Sequence, residues 1–354
     1  MDAYFMHLAL ELARLRKGLT HPNPTVGAVV VKEGRVVGQG YHERAGMPHA
    51  EVVALQQAGE LVRGADLYVT LEPCTHYGRT PPCTDAIIRA GVKRVVIATL
   101  DPNPVVSGKG VEKLRSSGIE VRVGVLEEEA KRLNEDFFTY ITQKRPYITL
   151  KLAQSIDGCI ATKRGDSKWI TSRESRDFAH RLRAEATAVL VGINTVLRDD
   201  PLLTIRAFPW ERQPLRVVLD PELKIPMECN LVKDPSAKTL VFTSSEKEEK
   251  IKALEEVGVE VVLQKPLSLR GVLDELFARE VMHLLVEGGA RTVSGFIKEG
   301  LYDRFFVFFA PILIGDGVKI SDLGVELLSE APRLCLRGVK VFGGDLAVEY
   351  VRCA

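Results

Sequence analysis

The chain carries no surplus of either charge: 48 lysines and arginines stand against 47 aspartates and glutamates, a formal net charge of +1. No long basic stripe is therefore expected, and a nucleic acid is not an expected partner. Aromatic residues, at 6%, are also too sparse for a platform of stacked bases. No apolar run is long enough to cross a bilayer, so no membrane association is expected. The opening segment MDAYFMHLALELARLRKG is interrupted by Glu11 and has no small-residue cleavage site before Thr20. It reads as an amphipathic helix with Phe5, Leu8, Leu12 and Leu15 on one stripe, not as a signal peptide. The cytoplasm is the expected setting. With six cysteines and no export signal, disulfides are not expected either. Cys159, Cys229, Cys335 and Cys353 are scattered and suit small buried positions.

What is present is the balance of a globular protein, 45% hydrophobic and 27% charged, over 354 residues. That length suits two domains better than one. The first part alternates strands and helices: a hairpin from Val26 to Gly40, a helix from His49 to Ala58, and a strand from Asp66 to Leu71. A helix through Ala90, a strand from Arg94 to Thr99, a helix from Gly110 to Ser117, a strand from Glu120 to Val123 and a helix from Glu127 to Thr142 follow. The polar segment Gln143–Pro146 is the best boundary, giving domains 1–145 and 146–354. Beyond it a second alternation runs to a terminal hairpin around Gly343 and Gly344. The pattern predicts α/β layers in both halves. There is no internal repeat.

The most specific chemistry is His49-Ala50-Glu51, then Pro73-Cys74, then Cys83. One histidine and two cysteines supply three ligands for Zn²⁺ and leave a fourth position for water, whose pKa the metal lowers. Glu51, two residues after His49 at a helix start, is placed to shuttle a proton to a leaving amine, as in zinc deaminases with an H-x-E…P-C arrangement. Nucleic-acid deaminases have two residues between their cysteines. Here Thr75-His76-Tyr77-Gly78-Arg79-Thr80-Pro81-Pro82 intervenes, and Cys83 opens a helix whose dipole favours thiolate. His76, Arg79 and Thr80 can face a substrate, Arg79 toward a phosphate and His76 toward a ring edge or hydroxyl. Asn23 and Asn103 each lie between prolines at a strand end and offer both a donor and an acceptor. His42 is read equally as a substrate contact and as a structural histidine.

These motifs (Asn23-Pro24-Thr25-Val26-Gly27, His49-Ala50-Glu51 and the run from Glu72 to Cys83) resemble the deaminase domain of the bifunctional riboflavin-biosynthesis deaminase–reductases. The Gly-Arg-Thr-Pro-Pro-Cys stretch is the most discriminating part. The second half carries Lys151 to Gly158, Ser167-Lys168-Trp169-Ile170-Thr171, Gly192-Ile193-Asn194-Thr195, Asp199-Asp200-Pro201 and Glu287-Gly288-Gly289. It is similar to the reductase domain of the same family, except at Cys159, where many relatives have a basic residue. The resemblance implies a cytidine-deaminase-like three-layer α/β/α domain followed by a dihydrofolate-reductase-like α/β domain. It implies a hydrolase acting on a cyclic amidine C–N bond and an NADPH-dependent oxidoreductase, with a small phosphoribosyl-aminopyrimidine as substrate. By the same resemblance, Ala153, Trp169, Thr195, Asp199, Gly289, Ala290, Arg291, Thr292, Val293, Ser294 and Gly295 line the cofactor. Ser167, Arg183, Leu203, Arg206 and Glu287 line the reductase substrate.

Several of these assignments have a physical basis. No G-x-G-x-x-G follows a strand, so a Rossmann turn is not expected. Gly288 and Gly289 instead let backbone N–H groups approach a pyrophosphate at the start of a helix. Arg183 and Arg206 are suited to clamp a phosphate. Lys151 and Glu287 are the candidate proton donors for the reduction. The hydroxyls and charges from Thr243 to Lys247 offer a seat for the cofactor 2′-phosphate. A dimer or tetramer is expected through the reductase domain, by Arg304–Phe309 and the terminal hairpin. Two other readings make different demands on the sequence. A tRNA or nucleoside deaminase would bring a basic, aromatic surface. A structural zinc module would bring a fourth protein ligand and no reason for Glu51.

Overall fold

The computed structural model describes residues 1–77, 81–104, 106–321 and 323–353. The chain divides into two compact units, Met1–Lys144 and Arg145–Ala354.

The first unit is built on a five-stranded sheet of order β2-β1-β3-β4-β5. Its strands are β1 (Gly27–Lys32), β2 (Arg35–Tyr41), β3 (Asp66–Leu71), β4 (Arg94–Thr99) and β5 (Glu120–Val123). β1 is antiparallel to β2 and β3, and β3, β4 and β5 run parallel. Helices α1 (Asp2–Arg14) and α5 (Glu127–Leu133) pack one face through Phe5, Met6, Leu10, Ala130 and Leu133. The expected stripe of α1 is rotated. Ala9 and Ala13 are buried with Phe5, Met6 and Leu10, while Leu15 is 62% exposed. Small side chains on the contact face let the helix axis lie closer to the sheet than a leucine row allows.

α2 (Ala50–Ala58), α3 (Cys83–Ala90) and α4 (Lys109–Ser116) complete the helices between strands. α2 lies directly on β2 because that strand presents glycines. A Cβ at Gly38 would meet the Ala54 carbonyl oxygen at 2.2 Å, and one at Gly40 the Ala50 oxygen at 2.5 Å. This close approach sets the start of α2, with His49 and Glu51, at the end of the sheet. The helix expected from Glu127 to Thr142 is two, α5 and α6 (Glu135–Gln143), broken at Asn134. The Asn134 amide accepts from Thr25 N–H at 2.8 Å and donates to Thr25 C=O at 2.9 Å. A buried side chain that satisfies a strand's backbone competes with helix continuation.

The second unit holds a nine-stranded sheet of order β11-β10-β9-β8-β12-β6-β13-β16-β15. The parallel part comprises β6 (Tyr147–Ser155), β8 (Ala188–Gly192), β9 (Leu215–Leu219), β10 (Thr239–Thr243), β11 (Glu260–Leu263), β12 (His283–Val286) and β13 (Arg304–Ala310). The antiparallel hairpin β15 (Leu334–Phe342) and β16 (Asp345–Arg352) extends it, and the short β7 (Ala161–Thr162) and β14 (Gly317–Val318) form a separate ribbon. Helices α7 (Arg173–Glu185), α8 (Ile193–Asp199), α9 (Asn230–Lys233), α10 (Glu248–Glu256), α11 (Leu269–Ala278) and α12 (Ala290–Lys298) connect the strands. One apolar layer lies on each face: Leu150, Leu190, Phe242 and Phe296 on one, Val189, Val218, Val241 and Phe308 on the other. β13 is interior, between β6 and β16, so the free edge of the terminal hairpin is β15.

A disulfide joins Cys335 and Cys353, against expectation, with Cα atoms 5.2 Å apart. Both residues are exposed at the open end of the β15–β16 hairpin, where register puts Cys335 opposite Val351. Strand pairing, not redox compartment, brings these two sulfurs together. Cys159 and Cys229 are buried and free, as their isolation in the sequence suggests.

Candidate functional site

In the first unit the ends of three elements converge. His49 is the residue before α2, with extended backbone (ψ 160°); Cys74 follows β3; Cys83 is the first residue of α3. Despite the long insertion, His49 Nδ1 and the two Sγ atoms all lie within 4.8 Å of one another. His49 Nδ1 is 3.1 Å from Cys83 Sγ and 3.7 Å from Cys74 Sγ. A tetrahedral Zn²⁺ with bonds of about 2.0–2.3 Å spaces its ligands about 3.5–4 Å apart, so the donor set and its spacing fit the metal. The first turn of α3 folds onto Cys74. Cys83 N–H points at its sulfur (3.4 Å), and Thr84 donates to its carbonyl through both N–H and hydroxyl. The Cys83 thiol and the His49 imidazole both hydrogen-bond to Cys74 and draw its thiol well below the ordinary range, against the opposing effect of burial.

Glu51 is 3% exposed beside this cluster, on the first turn of α2, and its carboxyl reaches Cys83. Burial raises its pKa, and the neighbouring His49 works against that rise. His42 is buried and held at both nitrogens. Nδ1 donates to Pro48 C=O at 3.2 Å, so Nε2 accepts from Asn23 Nδ2 at 3.0 Å. Its ring stands edge-on to His49, centroids 5.2 Å apart. This favours the structural reading of His42: it orients Asn23 and backs the ligand histidine.

In the second unit a cavity of about 1340 Å³ opens among β6, α7, α8 and the start of α12. Its lining includes Lys151, Ala153, Ser167, Trp169, Arg183, Thr195, Asp199, Leu203, Arg206, Glu287, Gly289, Ala290, Arg291, Thr292 and Gly295. Leu203 also packs in the core, at 2% exposed, with its φ at +54°. Two residues of the expected cofactor strip turn away. Val293 is fully buried in the core, and Ser294 hydroxyl binds the Ser321 backbone, because a helix can present only one face to a cavity. Trp169 is 68% exposed with Arg176 stacked on its ring at 4.4 Å, so it is not core filling.

At the floor of this cavity Arg183 and Glu287 form a bidentate pair, Nε–Oε1 2.6 Å and Nη2–Oε2 3.0 Å, with side chains only 13% and 9% exposed. Burial alone would raise the Glu287 pKa, but Arg183 and then Lys151 hold it down to about 2. Burial lowers the pKa of Lys151, against the pull of Glu287. Gly288 and Gly289 form a cradle. A Cβ at Gly288 would meet Thr292 Cβ at 2.5 Å, and the first turn of α12 has no side-chain cap, leaving its N–H groups for a ligand. These features fit the pyrophosphate of a dinucleotide.

Residues 146–348 match the family model described as RibD C-terminal domain, and residues 1–99 match that of the cytidine and deoxycytidylate deaminase zinc-binding region. The riboflavin biosynthesis protein RibD of Aquifex aeolicus is 61% identical over 352 residues, covering 99% of each chain.

The chain belongs to the RibD family.

Two solved members of that family share its whole fold. One is a diaminohydroxyphosphoribosylaminopyrimidine deaminase/5-amino-6-(5-phosphoribosylamino)uracil reductase from Thermotoga maritima, with a TM-score of 0.90 and 43% identity, covering 99% of both chains. The other is RibD from Acinetobacter baumannii, with a TM-score of 0.90 and 38% identity, covering 100% of this chain and 99% of that one. Against this RibD frame the remaining expectations sort themselves. His76 is exposed, and Asn103 is half-buried with its N–H on Asp101 Oδ1 at 2.8 Å. Asp101 is close enough to Cys74 and His76 to feel their charges, which brings its segment to the metal cluster. Arg79 and Thr80 lie outside the described residues. The short helix α8, capped by Gly192 and beginning at Ile193, has no counterpart in the sequence pattern; seven residues are too few for a periodicity to register. His180 and Arg176, both lining the reductase cavity, were missed too. The spacing Arg173, Arg176, His180, Arg183 along α7 was the available signal.

Proposed function

We propose that this chain deaminates 2,5-diamino-6-(5-phosphoribosylamino)pyrimidin-4-one to 5-amino-6-(5-phosphoribosylamino)uracil with release of ammonia, then reduces the ribosyl group to ribityl with NADPH. The observation that carries the first half is the cluster of one imidazole and two sulfurs within 4.8 Å, with the buried carboxyl of Glu51 alongside. His49, Cys74 and Cys83 would hold Zn²⁺, which lowers the pKa of water enough to supply hydroxide near neutral pH. Glu51 takes up the proton on its carboxylate and hands it to the departing amine. Its first-turn position on α2 keeps the group rigid, and its burial keeps competing water away. Asn23, fixed by His42, and Asn103 present amides to the pyrimidine or ribose, and His76 meets the mouth of the site. Arg79 and Thr80 are assigned to the same mouth by resemblance.

For the second half, bound NADPH would supply hydride chemistry at C1′ of the opened ribose. Gly289 to Gly295, with Ala153, Trp169, Thr195 and Asp199, would hold the dinucleotide, the contribution of Val293 and Ser294 being main-chain only. Lys151 is the proton donor. Glu287 stays ionised in its pair with Arg183, so it orients Arg183 and Lys151 and does not give up a proton. Ser167, Leu203 and Arg206 complete the substrate side, and Arg206 and Arg183 face the phosphate.

We further propose a cytoplasmic setting, in keeping with NADPH chemistry. Among the described residues no helix is long and apolar enough to cross a membrane. A homodimer or tetramer through the reductase unit is supported by the free edge β15, where Leu336, Val339 and Val341 are exposed. Sedimentation equilibrium tests it. The activity is tested by supplying the diaminopyrimidine with and without NADPH. Ammonia is expected in both cases, with NADPH consumed only after deamination; NADPH oxidation that precedes ammonia release would reverse the order proposed here.

A further inference from the structure

The floor of the reductase cavity holds a charge problem that Arg183 cannot solve alone. Three of the five N–H donors of its guanidinium are committed: Nε and Nη2 to Glu287, and Nη1 to Thr204 C=O at 3.0 Å. The carboxylate of Glu287 also neutralises its charge. A phosphate dianion beside this pair therefore needs other groups. Arg206 is one of them. Its Nη1 contacts only the carbonyl and hydroxyl of Thr204, and among the described residues it meets no carboxylate at salt-bridge distance.

The other is His180. It lies one turn before Arg183 on α7 and lines the same cavity. The backbone N–H of Arg206 donates to His180 Nδ1 at 3.3 Å, so the neutral imidazole carries its proton on Nε2. That N–H has no partner among the described residues. Burial first, then the Arg183 and Arg206 guanidiniums, push the imidazole down to about 4; Glu287 and Asp177 are the acidic groups facing it. The ring is thus a neutral donor with a fixed tautomer, tied to the loop that carries Arg206.

We propose that His180 is a further member of the reductase phosphate subsite, donating its Nε2–H to the 5′-phosphate of the ribosyl substrate beside Arg206. The proposal rests on the reading of Arg206 as a phosphate residue given above. It also explains why the Arg206 backbone is bonded to this ring: the link fixes the tautomer and sets the two phosphate donors in register.

The test uses the full-length, zinc-loaded enzyme with NADPH and 5-amino-6-(5-phosphoribosylamino)uracil. His180→Ala should raise both KM and the inhibition constant of inorganic phosphate by about ten-fold, the loss of one hydrogen bond to a charged acceptor, with kcat little changed. His180→Gln, whose side-chain amide N–H reaches the same region, should restore most of the loss. The phosphate-free ribosyl analogue should not distinguish the His180→Ala variant from the parent. The proposal is overturned if His180→Ala leaves the phosphate inhibition constant unchanged, or if it raises KM equally for the phosphate-free analogue. Arg206→Ala is the reference. If it too is silent toward phosphate, the subsite reading itself falls; if it responds while both His180 variants do not, only the role of His180 falls.

Discussion

Glu51 and Glu287 are both buried carboxylates, and their neighbours send them in opposite directions. Burial raises the pKa of Glu51, with the Cys74 sulfur adding to the rise and His49 opposing it; at Glu287 the effect of burial is overcome by Arg183 at 2.6 Å and by Lys151, and the pKa falls to about 2. The first is suited to carry a proton, the second to remain an anion. Glu51→Gln should retain zinc, measured by metal analysis, while ammonia release falls by about 10²–10⁴-fold, the range for a lost general acid–base. Normal ammonia release from that variant would remove the proton-shuttle role. Arg183→Ala should abolish reduction and leave ammonia release intact. It should also cost stability, about 3–5 kcal/mol, because Glu287 is left buried without its partner. The pair has a pH signature. The folded pKa of Glu287 is depressed, so its stabilisation is fully present above the ordinary value of 4.5 and is lost as pH falls toward about 2. Urea midpoints measured across that window should converge for the parent and an Arg183→Ala, Glu287→Gln double variant. At this scale the sequence was most legible where residue type alone carries chemistry: His49, Cys74 and Cys83 announce a soft metal whatever the fold. It was least legible for Glu287, whose protonation depends on a guanidinium 104 residues away in the chain.

Elements are positioned by side chains that the sequence marks poorly. Glu72, two residues before Cys74, is buried, and its two oxygens accept four backbone N–H groups, from Asp101, Gly108, Gly110 and Val111. One carboxylate thereby caps α4 and ties the segment carrying Asp101 and Asn103 to the segment that leads from β3 to Cys74. Glu72→Gln keeps the shape but replaces one acceptor with a donor facing N–H groups. We expect a loss of about 2–4 kcal/mol in urea unfolding and a raised KM for deamination, with zinc still bound. Unchanged KM would mean that Asn103 does not need this anchor. Asn134 does similar work from the α5–α6 break, pairing with both backbone groups of Thr25 close to Asn23. Neither anchor was readable beforehand, because each partner is fixed by sheet order and not by spacing along the chain. The same holds for Cys335 and Cys353. Closing an 18-residue separation is worth about 3 kcal/mol in the chain-entropy picture, so Cys335→Ser should lower the unfolding free energy of the second unit by that much, read from urea unfolding.

At the scale of the whole molecule, the alternation of strands and helices and the polar segment before Tyr147 announced two α/β units, and the chain divides between Lys144 and Arg145. The order of the nine-stranded sheet was not readable, since its neighbours β8, β12, β6 and β13 are brought together from distant stretches of the chain. What matters for the proposed function is that each unit has its own sheet, its own core and its own candidate site, the His49, Cys74 and Cys83 cluster in one and the cavity over Arg183 and Glu287 in the other. No residue assigned to the deaminase lies beyond Lys144, and none assigned to the reductase lies before it. It follows that the two reactions should separate chemically. Removing zinc with a chelator should stop ammonia release while leaving NADPH oxidation on the pre-deaminated uracil substrate. They should also separate genetically. A mixture of Glu51→Gln and Arg183→Ala chains, each silent in one step, should convert the diaminopyrimidine to the ribityl product, with the free uracil intermediate passing between molecules. Adding a trap that binds that intermediate should suppress product from the mixture. If the mixture releases ammonia but yields no ribityl product, although Glu51→Gln alone reduces the supplied uracil normally, the intermediate does not leave the chain that made it.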